Sequence, residues 1–181
     1  MNPKHLYTLE LPKILERLAR HADFSASKEL ALGLTPSPYL PEARERQTET
    51  SEARRLLSVK PDVSIGGARD VRPLLQQATR YAVLLPPDLL DIRQTLVAAR
   101  DLQRAIVRLS DQFPRLADIA GRIQECPGLV NEIGRCINER NGEVLDSASP
   151  DLARIRRELE ITHQRLLDRL NRIISSPQNG P

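Results

Sequence analysis

Apolar residues recur along this chain with the period of a helix, and the pattern is longest near the end. Leu152, Ile155, Leu159, Leu166, Leu170 and Ile173 follow one another at spacings near three and four, with one polar gap at Thr162 and His163. That spacing predicts a single apolar stripe on one helix, about 36 Å long at a rise of ~1.5 Å per residue. Ser149 suits the N-cap, and Pro150 suits the first helical position, where its missing N–H costs nothing. Asp151 places a negative charge in the first turn, where the helix dipole favours it. A polar, extended run from Gly142 to Ser149 leads into this helix, and Ser175-Ser176-Pro177 ends it. Residues 176–181 carry no helix signal and are expected to be a frayed or cut end. The longest helix thus projects toward the end of the chain with nothing after it to cover its stripe. On that ground the chain is expected to be the first part of a larger protein.

The preceding residues read as a series of shorter helices. Residues 9–22 form a first helix with Pro12 in its opening turn and Ile14, Leu15, Leu18 and Ala22 on one face. Ser25 caps a short second helix with Leu30 and Leu34 inward, stopped by Gly33 and Thr35-Pro36-Ser37-Pro38. Residues 41–58 form a mostly polar helix whose apolar positions are Ala43, Ala53, Leu56 and Leu57, so it buries one narrow edge. In the loop 59–69, Gly66-Gly67 reads as a plain turn rather than a phosphate loop, because no Lys-Ser/Thr pair follows. Asp70 can cap the next helix, which has Pro73 in its first turn. Over 87–110, Leu89, Ile92, Leu96, Ala99, Leu102, Ile106 and Leu109 share one side, which makes this helix the expected centre of the core. Arg93, Arg100, Arg104 and Arg108 share another side among Asp91, Asp101 and Asp111, as on a solvated face rather than a phosphate track. Pro114 starts a short helix carrying Leu116, Ile119 and Ile123, Pro127-Gly128 breaks it, and a further helix covers 129–138. Asn141-Gly142 then turns the chain into Glu143-Val144-Leu145. The fold class is all-α: a multi-helix core domain followed by a long projecting helix.

Composition narrows the chemistry. The chain has 181 residues, enough for one domain, or one domain with an appendage. Apolar residues make up 40% but aromatics only 3%, with no Trp, so a core of Leu, Ile, Val and Ala is expected. The net charge of +3 is well short of an electrostatic nucleic-acid binder on charge alone. Cys126 and Cys136 match no zinc or redox spacing and read as small buried hydrophobes or bystanders. There is no signal-peptide pattern and no apolar run near the ~20 residues of a membrane span, so a cytoplasmic protein without membrane contact is expected. His5, His21 and His163 are scattered, His21 and His163 on helices, and no nucleophile has a base beside it. No catalytic, cofactor-binding or metal residue is assigned. Arg154, Arg157, Arg165 and Arg172 recur along one side of the last helix, away from its stripe, and are the candidate nucleic-acid contacts. Asp151, Glu158, Glu160 and Asp168 dilute their field, so a solvated face is favoured there too.

Three segments together resemble one family: LPKILERLARHADFSASKELALGLTP, SIGGARDVRPLLQQA and GEVLDSASPDLARIRRELE. In that order they are similar to the second bacterial branch of the MutS proteins, over roughly Leu9 to Ile174. The resemblance implies a homodimeric ATPase that uses ATP and magnesium, with a helical core, long lever helices, a clamp and usually a C-terminal Smr endonuclease domain. It also implies binding of branched or double-stranded DNA, suppression of homologous recombination, and rescue of collided ribosomes through ribosome or rRNA contact. The branch lacks the mismatch-reading domain, and this sequence has no Phe-x-Glu: Phe24 is followed by Ser-Ala and Phe113 by Pro-Arg. By the same resemblance, 1–140 is the N-terminal core, 141–148 an extended connector and 149–175 the start of the ascending lever helix. A descending lever helix would cover its stripe. ATPase and nuclease chemistry would belong to the parent protein, and this chain itself is expected to catalyse nothing. The competing reading is a self-contained helical interaction module that dimerises through its C-terminal helix. Under either reading Leu152, Ile155, Leu159, Leu166, Leu170 and Ile173 serve self-association or lever packing.

Overall fold

A computed structural model describes residues 3–22 and 25–175. Among the described residues there are nine α-helices, one short 3₁₀ turn and an isolated β-bridge, with no strand, so the fold is all-α. The helices are α1 (Pro3–Thr8), α2 (Leu11–Ala19), α3 (Ser25–Leu32), α4 (Leu40–Val59), α5 (Arg72–Thr79), α6 (Pro86–Val107), α7 (Pro114–Ala120), α8 (Pro127–Cys136) and α9 (Pro150–Ile174). They group into two compact units, Met1–Val130 and Asn131–Pro181. The expected frayed end at 176–181 lies outside the described residues.

In the first unit, the helix expected over 9–22 is α2, which covers only Leu11–Ala19, and a further helix that was not expected, α1, precedes it; Glu10 between them adopts a left-handed backbone with φ 56°. Pro12 explains the break: its ring would clash with the Thr8 carbonyl if α1 ran on, whereas the second position of a new helix tolerates it. α2 also stops earlier than expected, leaving His21 and Ala22 beyond its end. α3 packs against α2, but Leu30 is 75% exposed and Leu34 44%, so these two do not point inward as the periodicity suggests. A helix of eight residues offers only one narrow buried edge, and Ala26 and Ala31 take it as half-buried positions.

Among the described residues the largest fully buried side chain is Phe113, at 2% exposure, which is not a member of the α6 stripe. α7 packs on both α4 and α6, and Phe113 stands at its N-terminus. Along α6 only Ile92 is fully buried; Leu96 and Ile106 are half-buried. The expectation of a core centred on the helix over 87–110 is corrected accordingly. Arg55 of α4 lies over the Phe113 ring at 5.4 Å and donates to the Gln112 carbonyl at 2.9 Å. Glu52 is buried on the same edge of α4, and its Oε2 accepts the Leu116 backbone N–H at 3.1 Å. Leu116 is the third residue of α7, so a carboxylate from another helix caps a terminus that has no cap of its own.

The arginines of α6 are engaged by the chain that follows. Arg93 Nε donates to the Val130 carbonyl at 3.1 Å, and Arg104 grips Glu125 through two bonds of 2.9 and 2.8 Å. Gln103 donates to the Ile123 carbonyl at 3.0 Å, so side chains of α6 hold two points of the irregular chain after α7 and one in α8. On another side, the loop after α4 is fixed by Arg69, which donates through its backbone to Thr95 Oγ1 at 2.9 Å and pairs with Asp91 at 3.1 Å. Gly67 turns that loop with φ 85°, where a Cβ would meet the Gln94 side chain at 3.1 Å.

In the second unit, α8 runs into a tight turn. Asn138 N donates to the Glu143 carbonyl and Leu145 N to the Cys136 carbonyl, each at 2.8 Å, and Ile137 and Val144 form the antiparallel bridge. Gly142 makes the turn possible with φ 71°. The extended run therefore ends at Leu145, and Asp146–Ala148 form a 3₁₀ turn before α9. Ser147 Oγ donates to the Arg135 carbonyl at 2.6 Å, and Arg135 donates back to the Ser147 carbonyl. Cys126 is exposed rather than buried, and Cys136 is half-buried.

Candidate functional site

α9 is the longest helix among the described residues, at 25 residues, and its start follows from local chemistry. Ser149 occupies the N-cap with an extended backbone, Pro150 begins the helix and Asp151 sits in the first turn. The Ser149 hydroxyl makes no capping bond; instead Asp146 pairs with Arg156 at 2.7 Å and ties the 3₁₀ turn to the second turn of α9.

Two faces of α9 carry the candidate residues. At roughly 100° per residue, the stripe from Leu152 to Ile173 lies within an arc of about 60°, and the four arginines centre about 140° away from it. Leu152 is half-buried; Ile155 is 51% exposed, Leu159 67%, Leu166 57%, Leu170 47% and Ile173 53%. The arginines differ in what surrounds them. Arg154 is held by Asp151 at 3.5 Å and Glu158 at 3.0 Å, and Arg157 donates to the Ala153 carbonyl at 3.1 Å. Among the described residues, Arg165 and Arg172 form no ion pair, although Asp168 lies on the same face between them. Ile161, 52% exposed, lies among the arginines, and no charge pattern marked it.

Arg72 bridges α3 and the start of α5: it binds Glu29 at 2.8 and 3.0 Å and Asp70 at 2.8 and 2.6 Å. Asp70 also accepts the Arg72 backbone N–H at 3.1 Å and a hydrogen bond from Ser25 Oγ, but the N-cap of α5 is Val71 and not Asp70 as the sequence suggests. Hydrogen bonds from Arg72, and then from Ser25, hold the Asp70 carboxyl far below its ordinary value; Arg72 lowers Glu29 in the same way. Among the described residues no three His, Cys, Asp or Glu side chains are placed to hold a metal ion. His5, His21 and His163 are each exposed, His21 in the turn after α2 rather than on the helix. No helix among the described residues is long and apolar enough to cross a membrane.

No family model matches the chain. Comparison with individual proteins is more informative. The chain is 40% identical over 178 residues to the protein named Endonuclease MutS2 of Thermomicrobium roseum, a match covering 97% of this chain and 22% of that protein. It is 36% identical over 177 residues to Endonuclease MutS2 of Pelotomaculum thermopropionicum, covering 98% of this chain and 22% of the relative. A Geobacillus protein of the same name is 37% identical over 179 residues, covering 97% and 23%. The chain thus spans less than a quarter of the length of these relatives, and the match runs through all three quoted segments and through 114–140 between them. Over the segment it spans, this chain belongs to the MutS2 family.

Proposed function

We propose that this chain is the helical core and ascending lever portion of a DNA-processing protein of the MutS2 type, and that its role there is to bind and to position rather than to catalyse. The observation that carries the reading is the continuous 40% identity over 178 residues to a protein named as an endonuclease. In the longer protein, ATP, magnesium and nuclease chemistry lie outside this segment, and the assembly is a cytoplasmic homodimer. Its substrates are branched or double-stranded DNA, with suppression of homologous recombination as the outcome. Ribosome or rRNA contact for the rescue of collided ribosomes is the second substrate class this reading includes. The domain division that goes with it places the core at 1–140, a connector at 141–148 and the lever at 149–175.

Within this chain, nucleic-acid contact falls on the outer half of the basic face of α9. Arg165 and Arg172 have no carboxylate partner among the described residues, whereas Arg154 is already neutralised by Asp151 and Glu158. A phosphate track needs charge that is available for counterion release. The test is a salt titration of binding to a four-way DNA junction. Removing Arg165 and Arg172 together should lower the log–log salt slope by roughly 2, at about 0.9 per phosphate contact. Arg154→Ala should leave the slope nearly unchanged. Equal slopes for the wild type and the Arg165→Ala, Arg172→Ala variant would remove this face from nucleic-acid contact.

A further inference from the structure

Within the second unit, one extended residue stands between two hydrogen-bonded elements. Ala148 ends the 3₁₀ turn and Pro150 begins α9, so Ser149 alone joins them, with φ −155° and ψ 137°. A residue before proline is held away from the helical region, which keeps the turn and α9 from merging into one helix. A single residue offers two soft dihedrals. The Ser149 hydroxyl makes no capping bond that would fix them. Ser149 is therefore the joint about which α9 can swing.

The near side of this joint is anchored. Leu145 N donates to the Cys136 carbonyl at 2.8 Å, and Ala148 N donates to the Leu145 carbonyl at 3.0 Å. Ser147 Oγ donates to the Arg135 carbonyl at 2.6 Å, and the Arg135 guanidinium donates back to the Ser147 carbonyl. Glu132 holds that guanidinium from its other side, accepting Nε at 3.0 Å. Ile133 and Ile137, both buried, fix the end of α8 beneath these bonds. The 3₁₀ turn is thus one body with the end of α8.

The far side reaches back through a charged pair. Arg156 Nη1 donates to Asp146 Oδ1 at 2.7 Å, across Ser149. Leu152 and Ala153, the half-buried positions of the first turn of α9, precede Arg156 by four and three residues, so all three share the side that meets the 3₁₀ turn. Arg156 lies one turn further from the joint than they do, where it holds the helix against rotation with the longer arm. Its side chain is 47% exposed and that of Asp146 is 58% exposed. A pair so open to water is weak and is screened by salt, which makes it easily released.

We propose that Asp146 and Arg156 form an ionic latch that sets the direction of α9 about Ser149: closed, it fixes the helix on the 3₁₀ turn, and open, it frees the helix to swing. What such a swing moves further along a longer chain rests on the lever reading; the latch itself does not. A rise of ~1.5 Å per residue puts Gln164 about 21 Å beyond Pro150, so a swing of about 10° displaces it by about 4 Å.

The experiment uses the whole 181-residue chain in a Cys126→Ser, Cys136→Ser background. Spin labels on Asn131→Cys and Gln164→Cys report the distance between α8 and α9 by double electron–electron resonance, with excess unlabelled chain present to remove pairs between molecules. At low salt the distance distribution should be narrow. Asp146→Asn and Arg156→Gln should each broaden it or shift it by several Å, with helix content by circular dichroism unchanged. The exchanged pair, Asp146→Arg with Arg156→Asp, should restore the narrow distribution. Raising salt to about 1 M, where the screening length is about 3 Å, should broaden the unsubstituted pair and leave Asp146→Asn as it was. Identical distributions with and without Asp146→Asn overturn the proposal. So does an exchanged pair as broad as the single variants, and so does broadening that comes with loss of helix, which makes these residues part of the fold rather than of its direction. The distance reads the joint whether or not α9 serves as a lever or touches nucleic acid, so failure of either reading leaves this result standing.

Discussion

Phe113→Ala should be the most damaging single truncation in the first unit. The side chain is 2% exposed at the junction of α4 and α7, under the Arg55 guanidinium at 5.4 Å. Burying a Phe side chain is worth about 1.5–3 kcal/mol in transfer alone. The cavity left by truncation raises the usual cost of Phe→Ala to roughly 3–5 kcal/mol. The contact with Arg55 adds about 0.5–1 kcal/mol at a partly exposed site. Against a typical total stability of about 5–15 kcal/mol, that loss is large. For a chain of this size it corresponds to a fall in Tm of roughly 6–20 °C, at about 2–4 °C per kcal/mol. Phe113→Leu keeps most of the apolar volume and should cost under about 2 kcal/mol. Urea unfolding followed by far-UV circular dichroism measures both, and a double-mutant cycle with Arg55→Met isolates the cation–π coupling. Should the two units unfold separately, only the transition of Met1–Val130 should move. A cost for Phe113→Ala below about 0.5 kcal/mol, the range of ordinary surface changes, would refute the placement of this ring at the centre of the unit.

Two further outcomes follow from local chemistry. Tyr81 closes α5 in a left-handed conformation, φ 60°, with its N–H on the Ala78 carbonyl at 2.9 Å and that of Ala82 on the Gln77 carbonyl at 3.1 Å; its side chain is 96% exposed, so Tyr81→Gly should stabilise by about 0.5–1 kcal/mol in the same urea assay, and a loss would show that the ring has a packing role. The Asp70 and Glu29 carboxyls are both lowered by Arg72, so their contribution is fully present above the ordinary carboxylate range near pH ~4 and is lost as pH falls through the depressed values. Carboxyl NMR should show Glu29 titrating higher in Arg72→Gln than in the wild type, and identical titration curves would rule the interaction out.

What the sequence made legible, and what it did not, divides along physical lines. Helix existence and order were readable because each helix beyond α1 begins near a proline or a capping residue and repeats apolar residues at helical spacing. The start of α9 at Pro150 was readable for the same reason. α1 was not expected, and its break from α2 depends on Glu10 adopting a left-handed backbone, for which that residue type gives no signal. Burial was misjudged where helices are short: Leu30 satisfies the period of α3, yet eight residues cannot turn every apolar position toward one neighbour. The core position of Phe113 was missed because it precedes its helix and so belongs to no stripe. Glu52 was missed because a carboxylate on a polar helix reads as solvated, and only the tertiary placement of the α7 N-terminus gives it a partner. On α9 the four arginines are equivalent by periodicity. Only the folded structure separates Arg154, already paired, from Arg165 and Arg172.

The two faces of α9 pull with different strength, and magnitudes decide which governs the behaviour of the isolated chain. Fully burying one Leu or Ile is worth about 1.5–3 kcal/mol, so side chains that are roughly half exposed stand to gain about half of that each on being covered. A surface ion pair of the kind Arg154 makes is worth about 0–1 kcal/mol and is screened by salt. The apolar face is therefore the stronger drive, and it persists at ionic strengths that weaken phosphate contact. Because the faces lie about 140° apart on the helix, each can be perturbed without touching the other. Substitution at Leu159 or Leu166 should act on association and be insensitive to salt, whereas substitution at Arg165 or Arg172 should act on nucleic-acid binding through its salt slope. An association that weakened steeply with added salt would mean that charge, not the apolar stripe, holds the helices together.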